Sequence, residues 1–339
     1  MINAALIGYG YWGPNLARNI ARSSSYDLGW IVDLDDKNLQ LAKESYPWIQ
    51  VSNDASQVLA QEDVDLVIIA TPVSTHYSLA SAALKANKHV FVEKPLTDNY
   101  GQAQALHVEA TARNLVLMVD HTFIFTGAVK KIEELLEEKA LGDVYYYDST
   151  RVNLGLLQHD VSVIWDLAVH DFAILDYLFR RKPFSISAVG FAHFPNTPVN
   201  TAFISAKYED NLIAHINVNW LAPVKLRQTL IGGSEKMVFY NDLEPSEKVK
   251  IFDHGISLSH NQDLQENDLT KLKIGYRKGD IFLPQLSSRE ALEVEFEYLA
   301  KCIESSCSPI NDAGMGARVV QLVCAAEESM RLNGAPVNI

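Results

Sequence analysis

The chain has 339 residues, 48% of them hydrophobic and 21% charged, the balance of an ordinary globular protein with room for two domains. Its 29 lysines and arginines against 42 aspartates and glutamates leave a formal net charge of −13, which argues against nucleic acid or an anionic membrane as the main partner. The N-terminus has no basic n-region and no apolar run approaches the roughly eighteen residues of a membrane span, so a cytoplasmic protein without a signal peptide is expected.

A short apolar run, Ala4 to Ile7, leads into Gly8-Tyr9-Gly10-Tyr11-Trp12-Gly13, and a helix-like segment follows at once. In a strand–turn–helix context the first glycine allows the tight turn, the second lets a pyrophosphate approach the backbone, and the third lets helix and strand pack closely. The free N–H groups at the helix start would hold the diphosphate. A second strand at 28–32 ends in Asp33, twenty residues after Gly13, where a carboxylate can accept from the adenosine ribose hydroxyls and repel a 2′-phosphate. These residues predict a bound dinucleotide, NAD in preference to NADP.

Strands at 65–70, 88–92 and 115–119 alternate with helices near 12–22, 35–45, 75–86 and 98–113, which predicts a parallel, doubly wound Rossmann sheet over residues 1–121. Ligands of such sheets bind beyond the C-terminal strand ends, where Thr71-Pro72 and Glu93-Lys94-Pro95 also fall. A lysine at that edge is placed to hold or protonate a substrate oxygen.

After a helix at 127–139 the pattern changes to longer strands at 144–152, 184–193, 199–209, 212–220, 225–232 and 236–240. One hairpin, Thr201 to Tyr208 and Leu212 to Trp220, is apolar on one face and partly polar on the other. Residues 122–339 are therefore expected to form an α+β domain with a large open, mostly antiparallel sheet. Its C-terminal helices, 289–305 and 313–332, are able to pack back on the first domain. Such a sheet suggests a homodimer or homotetramer paired through it. The stretch 241–285, charged and weakly periodic, is expected to be an irregular excursion. Cys302, Cys307 and Cys324 show no metal-ligand spacing and are expected as free thiols.

Between these strands lies Trp165-Asp166-Leu167-Ala168-Val169-His170-Asp171, with apolar neighbours at helical spacing. Asp166 and His170, at i and i+4, would share a helix face, and the carboxylate would orient the imidazole and raise its basicity. Lys225 and Arg227, two apart on a strand, point the same way, either as cations for an anionic substrate such as a diphosphate or as solvated strand-face charges, and Arg151 is on another second-domain strand. The histidines His89, His107, His159, His193, His215, His254 and His260 form no H-x-x-x-H or comparable cluster, so no catalytic metal is expected.

With G-Y-G-Y-W-G, A-T-P-V-S-T-H-Y-S-L-A at 70–80, K-H-V-F-V-E-K-P at 88–95 and D-L-A-V-H-D at 166–171, the chain resembles the Gfo/Idh/MocA family, the glucose–fructose oxidoreductase and inositol dehydrogenase superfamily, along essentially its whole length. The resemblance implies that Lys94, Asp166 and His170 are the catalytic trio. His170 would be general base or acid on the reacting hydroxyl, Lys94 would polarise or relay, and Asp166 would anchor a substrate hydroxyl. It also implies that Tyr11, Trp12, Thr71, Pro72, His76 and Glu93 join the glycines and Asp33 around the cofactor, and that His121 lines the substrate pocket.

D-H-T-F-I-F at 120–125, the tryptophan before Asp166, A-P-V-K-L-R at 222–227 and I-G-G-S-E-K-M-V-F-Y-N-D at 231–242 resemble the branch acting on nucleotide-linked sugars, such as the UDP-N-acetylglucosamine 3-dehydrogenases. Gly127, Asp120 and Val169 depart from that branch's usual proline, glycine and proline. The implied activity is oxidation of a secondary hydroxyl, C3 of a sugar or nucleotide-linked sugar, by hydride transfer to NAD. Two alternatives share the motifs: an NAD-dependent glycosidase using transient 3-oxidation, and a non-catalytic NAD-sensing regulator.

Overall fold

The computed structural model describes residues 1–155, 161–259 and 273–339. They divide into two compact units, Met1–Thr126 with Phe172–Phe179 and Arg289–Cys324, and Gly127–Asp171 with Arg180–Ser288 and Ala325–Ile339.

The first unit opens with β1 (Ile2–Ile7), α1 (Gly13–Arg22), β2 (Tyr26–Val32), α2 (Asp36–Ser45), β3 (Gln50–Ser52) and α3 (Ala55–Leu59). It continues through β4 (Leu66–Ile69), α4 (Val73–Lys85), β5 (His89–Glu93), α5 (Tyr100–Arg113) and β6 (Leu117–Asp120). The six strands pair in parallel in the order β3-β2-β1-β4-β5-β6, the strand order of a dinucleotide-binding sheet. Every residue of Leu66–Ile69 is buried, which is why the strand reads as an unbroken apolar run. Asp35, Asp54 and Asn99 cap α2, α3 and α5 by accepting from the backbone N–H of Lys37, Ser56 and Gln102. Such caps each contribute about 0.5–2 kcal/mol. The short β3 and α3 carry too little periodicity to stand out in the sequence.

The second unit holds α6 (Gly127–Glu137) and β7 (Val144–Leu154). A π-helical turn, Ile164–Ala168, runs into α7 (Val169–Phe179). The remaining strands are β8 (Ser185–Phe191), β9 (Thr201–Lys207), β10 (Ile213–Asn219), β11 (Leu221–Gly233), β12 (Met237–Asn241), β13 (Val249–Ser259) and β14 (Lys273–Phe282). With β15 (Val337–Asn338) they form a nine-stranded sheet, β14-β13-β12-β11-β7-β10-β9-β8-β15, antiparallel except for the β7–β10 pair. The expected hairpin is β9–β10, and Asn211 in its turn takes a positive φ of 60°, a conformation asparagine tolerates. Ala202, Ile204, Ala206, Ala214, Ile216 and Val218 bury one face, while Phe203 and Ile213 stand exposed on the other.

The expectation of an irregular excursion over 241–285 needs correction. Val249–Ser259 and Lys273–Phe282 are paired strands that extend the sheet beyond β12. Only the residues facing inward from β13, such as Val249 and Ile251, need be apolar, and charged outward residues between them masked the alternation.

Two long helices, α8 (Ala291–Ser305) and α9 (Ala313–Arg331), follow. In the first unit α8 lies against the parallel sheet. The Phe296 ring packs on Phe91 and Tyr26, with centroids 4.9 and 5.9 Å apart, and Tyr26 Oη donates to Phe296 O at 2.6 Å.

Candidate active site

The glycine turn behaves as its spacing predicts. Gly8 has φ +98°, and a Cβ there would fall on the Ala70 carbonyl; a Cβ on Gly13 would fall on Gly8 O. Nothing lies within 4 Å of where a Cβ on Gly10 would stand, so the backbone is open to an incoming group at that residue alone of the three. Beside it is a cleft of about 420 Å³ lined among others by Gly8, Gly10, Asp33, Asn53, Thr71 and Pro72. Asp33 Oδ2 accepts from Tyr9 N at 2.6 Å and Oδ1 from Asp35 N at 2.8 Å, so the carboxylate also ties the glycine loop to the end of β2. An open glycine amide, a helix start and a carboxylate at the next strand end fit an adenine dinucleotide. Tyr11 is fully on the surface, whereas the Trp12 indole Nε1 donates to Asp120 Oδ2 at 3.2 Å.

Along the same sheet edge β5 ends at Glu93, followed by Lys94 and a cis Lys94–Pro95 peptide. His76, 1% exposed, faces Pro95 O from Nδ1 at 2.9 Å and Thr71 O from Nε2 at 2.8 Å. It thereby links the Thr71 and Lys94 turns from behind, and burial pushes its imidazole below the usual histidine range. Glu93 pairs with Asp120 across the β5–β6 register. Burial, then the adjacent Asp120, pushes the Glu93 carboxyl well above the usual range, with Lys94 opposing. His121 is also buried, and burial lowers it to about 4. Neither of its ring nitrogens has a hydrogen-bond partner among the described residues.

In the second unit, Val169 N–H bonds back to Ile164 O, five residues earlier, so Asp166 lies in a π-helical turn and not on the regular α-helix the i, i+4 spacing implied. Such turns recur at functional sites. Asp166 and His170, at the turn and the start of α7, are both partly exposed. Asp166 Oδ2 accepts from Trp220 Nε1 at 3.0 Å. The next residue, Asp171, is completely buried and takes three donors from alternate positions of β7: Tyr147 Oη at 3.3 Å, Ser149 Oγ at 2.6 Å and Arg151 Nε at 3.0 Å. This anchor fixes the start of α7, and with it the residue carrying the His170 imidazole.

Arg151, expected to face a diphosphate, is 4% exposed and bound to Asp171 beneath the sheet. Its sequence neighbourhood carries no sign of a partner twenty residues on. Lys225 is exposed. Arg227, opposite Arg151 in the β11–β7 register, is partly exposed with Nη1 3.4 Å from Asp242 Oδ2. Asp120, Asp171 and Trp220 were not assigned these contacts from sequence. Asp171 stood inside a quoted motif, but nothing local to Trp220 marked it. His159 and His260 lie outside the described residues, among which no group of three or more His, Cys, Asp or Glu side chains is arranged to hold a metal ion.

Residues 2–121 match the oxidoreductase family with an NAD-binding Rossmann fold (GFO/IDH/MocA), and residues 129–239 match the GFO/IDH/MocA C-terminal domain. The uncharacterized oxidoreductase YdgJ of Escherichia coli strain K12 is 35% identical over 149 residues, 44% of this chain and 42% of that protein. UDP-N-acetylglucosamine 3-dehydrogenase of Acidithiobacillus ferrooxidans is 29% identical over 192 residues, 56% of this chain and 58% of that one. The matched part thus spans about half the length of these two relatives. The structure of levoglucosan dehydrogenase in complex with NADH and L-sorbose has the same fold, with a TM-score of 0.83 at 17% identity over 100% of this chain and 99% of that one.

Proposed function

Because this chain belongs to the GFO/IDH/MocA oxidoreductase family, we propose that it is an NAD-dependent dehydrogenase that oxidises a secondary hydroxyl, C3 of a sugar or nucleotide-linked sugar. The observation that carries the reading is the sheet edge itself. The open Gly10 backbone and Asp33 lie at one end of that edge, and the Glu93-Lys94-Pro95 turn follows β5 along it.

Gly8, Gly10, Gly13, Asp33 and Thr71 would hold NAD, which supplies the hydride acceptor when bound. Lys94 holds the substrate oxygen and stabilises negative charge developing on it. His170 takes the hydroxyl proton as general base, and Asp166, fixed by Trp220, accepts from a neighbouring substrate hydroxyl. The nucleotide-sugar substrate is supported by the likeness to UDP-N-acetylglucosamine 3-dehydrogenase and by the exposed Lys225 and partly exposed Arg227. The partner protein in this reading is a second copy. The sheet exposes Val189, Phe191, Phe203, Ile213 and Leu230, apolar side chains that a second copy would cover.

The test is incubation with NAD and a panel of UDP-N-acetyl sugars, free sugars and inositols, followed by NADH absorbance. Stoichiometric NADH with a nucleotide sugar is expected. Turnover without net NADH identifies the transient-oxidation glycosidase, and NAD binding without turnover on any substrate identifies a sensor.

A further inference from the structure

His76, near the start of α4, is 1% exposed and faces an acceptor from each of its ring nitrogens, Pro95 O at 2.9 Å from Nδ1 and Thr71 O at 2.8 Å from Nε2. Both are hydrogen-bond distances, and a carbonyl oxygen can only accept. A neutral imidazole carries one N–H, so it donates to one of the two carbonyls and turns a lone pair toward the other. An imidazolium would serve both. A buried charge is costly, however, and no carboxylate is hydrogen bonded to this ring among the described residues to offset it. Burial accordingly lowers the imidazole below the usual histidine range.

The two carbonyls have few other donors. Neither Thr71 O nor Pro95 O accepts from a backbone N–H among the described residues. Pro95 is buried, and without an N–H its carbonyl is its one backbone hydrogen-bonding group. Thr71 is partly exposed and lines the cleft beside Gly10. Its side chain is tied to α4 as well: Thr75 Oγ1 donates to Pro72 O at 2.7 Å, so Thr71 Oγ1 is the donor in its 2.7 Å contact with Thr75 Oγ1. Thr71 Cγ2 lies 3.0 Å from where a Cβ on Gly8 would stand, which sets this residue against the glycine turn. Pro95, on the other side, directly follows Lys94. The single imidazole proton therefore stands between the wall of the cofactor cleft and the lysine turn.

We propose that His76 is a positioning residue that holds these two turns alternately with one proton. As the Nδ1–H tautomer it fixes Pro95, and with it the Lys94 turn; as the Nε2–H tautomer it fixes Thr71 on the cofactor side. Exchange between the two breaks one N–H bond and forms the other, with water as the proton carrier, and the ring is neutral before and after. Thr71 lines the cleft and Pro95 does not, so a dinucleotide filling it acts on one carbonyl of the pair and shifts the tautomer ratio. The consequence for turnover rests on the reading of Lys94 as a substrate-holding group; the one-proton arrangement stands without it.

The experiment is nitrogen NMR of the full chain carrying isotope-labelled histidine at neutral pH, with and without NAD, the His76 signals being assigned by their absence from a His76 variant. One N–H shared between Nδ1 and Nε2 is expected, in a ratio that NAD changes. Two protonated nitrogens, or a proton confined to the same nitrogen with and without NAD, overturns the proposal. Two variants read the consequence. An asparagine amide nitrogen stands near the place of Nδ1 and a glutamine amide nitrogen near that of Nε2, so His76→Asn donates toward Pro95 O and His76→Gln toward Thr71 O. His76→Asn is expected to weaken NAD binding about tenfold by calorimetry with the smaller change in kcat, and His76→Gln to lower kcat about tenfold with the smaller change in NAD affinity. Equal losses of both quantities in both variants reduce His76 to packing and overturn the proposal. Should one variant fail to fold, the other assigns the signals and the wild-type spectra decide. A tautomer ratio that responds to NAD in a protein that oxidises no sugar keeps the proposal and removes the dehydrogenase reading instead.

Discussion

Trp220 Nε1 donates to Asp166 Oδ2 at 3.0 Å, so a fully buried indole between β10 and β11 aims the carboxylate of the π-helical turn. The Trp220 backbone is held in turn, its N–H donating to Asn200 O at 3.0 Å. In the proposed mechanism this makes a gradient of effects. Lys94→Ala and His170→Ala should each lower turnover by roughly a hundredfold with NAD affinity nearly intact. Trp220→Phe keeps an aromatic ring, removes one hydrogen bond and leaves a small void where the rest of the indole stood, so kcat/KM should fall by about tenfold or less. Steady-state kinetics with calorimetric NAD titration checks the order, and near-normal turnover in His170→Asn would take the imidazole out of the mechanism.

The Asp171 anchor predicts a loss of stability unrelated to chemistry. Arg151→Ala leaves a fully buried carboxylate with Tyr147 and Ser149 as its remaining side-chain donors among the described residues. Breaking one side of a buried pair costs about 3–5 kcal/mol. Urea unfolding of Arg151→Ala should show a loss of that order. A loss below about 1 kcal/mol would mean that the buried pair contributes little to holding α7.

The buried Glu295 carboxyl predicts a thermodynamic signature as well. Glu295 is raised in the folded state, so the native protein binds more protons than the unfolded chain above the ordinary glutamate value of about 4.3. Stability from this group is full below that value and is lost as pH rises toward the folded value. Glu295→Gln carries no such titration. Its stability relative to wild type should therefore rise as pH goes from about 4 toward neutrality, measured as thermal midpoints across that range; a flat difference would sink the assignment of a proton to Glu295.

The parallel sheet was legible because each of its elements writes its own period: buried β-strands as apolar runs, helices as 3.6-residue stripes, and the turn as three glycines with distinct steric duties. What escaped the sequence depends on partners far apart along the chain. Arg151 looks like a ligand-facing cation until Asp171 is seen beneath it, and only the β7–α7 packing brings the two together. Asp120 stood out as an unusual residue, but its contact with the Trp12 indole comes from a segment far back in the chain. The π-helical turn differs from an α-helix by a single residue in its hydrogen bonding, too small a change for an apolar pattern to register.

Cofactor choice turns on Asp33. Its two oxygens already accept from Tyr9 N and Asp35 N, and the carboxylate also lines the cleft beside Gly10. A ribose 2′-phosphate there would meet a fixed negative charge. NAD is expected to bind at least tenfold tighter than NADP, about 1.4 kcal/mol. Calorimetric titration with both cofactors settles it, and equal or reversed affinities would defeat the argument from this carboxylate.

Arg227 carries the sharpest bet on the substrate. The chain is acidic overall, so a diphosphate-linked sugar needs local cations, and with Arg151 buried in its own pair that duty falls to Lys225 and Arg227. The Arg227 contact with Asp242, at 3.4 Å, is long for a charge-assisted hydrogen bond and open to replacement by a better-placed anion. Asp242 would keep Lys248 Nζ at 3.4 Å and Tyr240 Oη at 3.1 Å if the arginine swung away. A hydrogen bond to a charged group is worth about 1.5–3 kcal/mol. Arg227→Ala should then raise KM for a nucleotide sugar by roughly ten- to a hundredfold and leave residual activity on the free sugar untouched. Asp242→Asn should lower that KM or leave it unchanged, because it removes the carboxylate charge that competes for the arginine. A wild-type enzyme that prefers free sugars or inositols, or an Arg227→Ala variant with unaltered KM, would return the protein to the general sugar dehydrogenases.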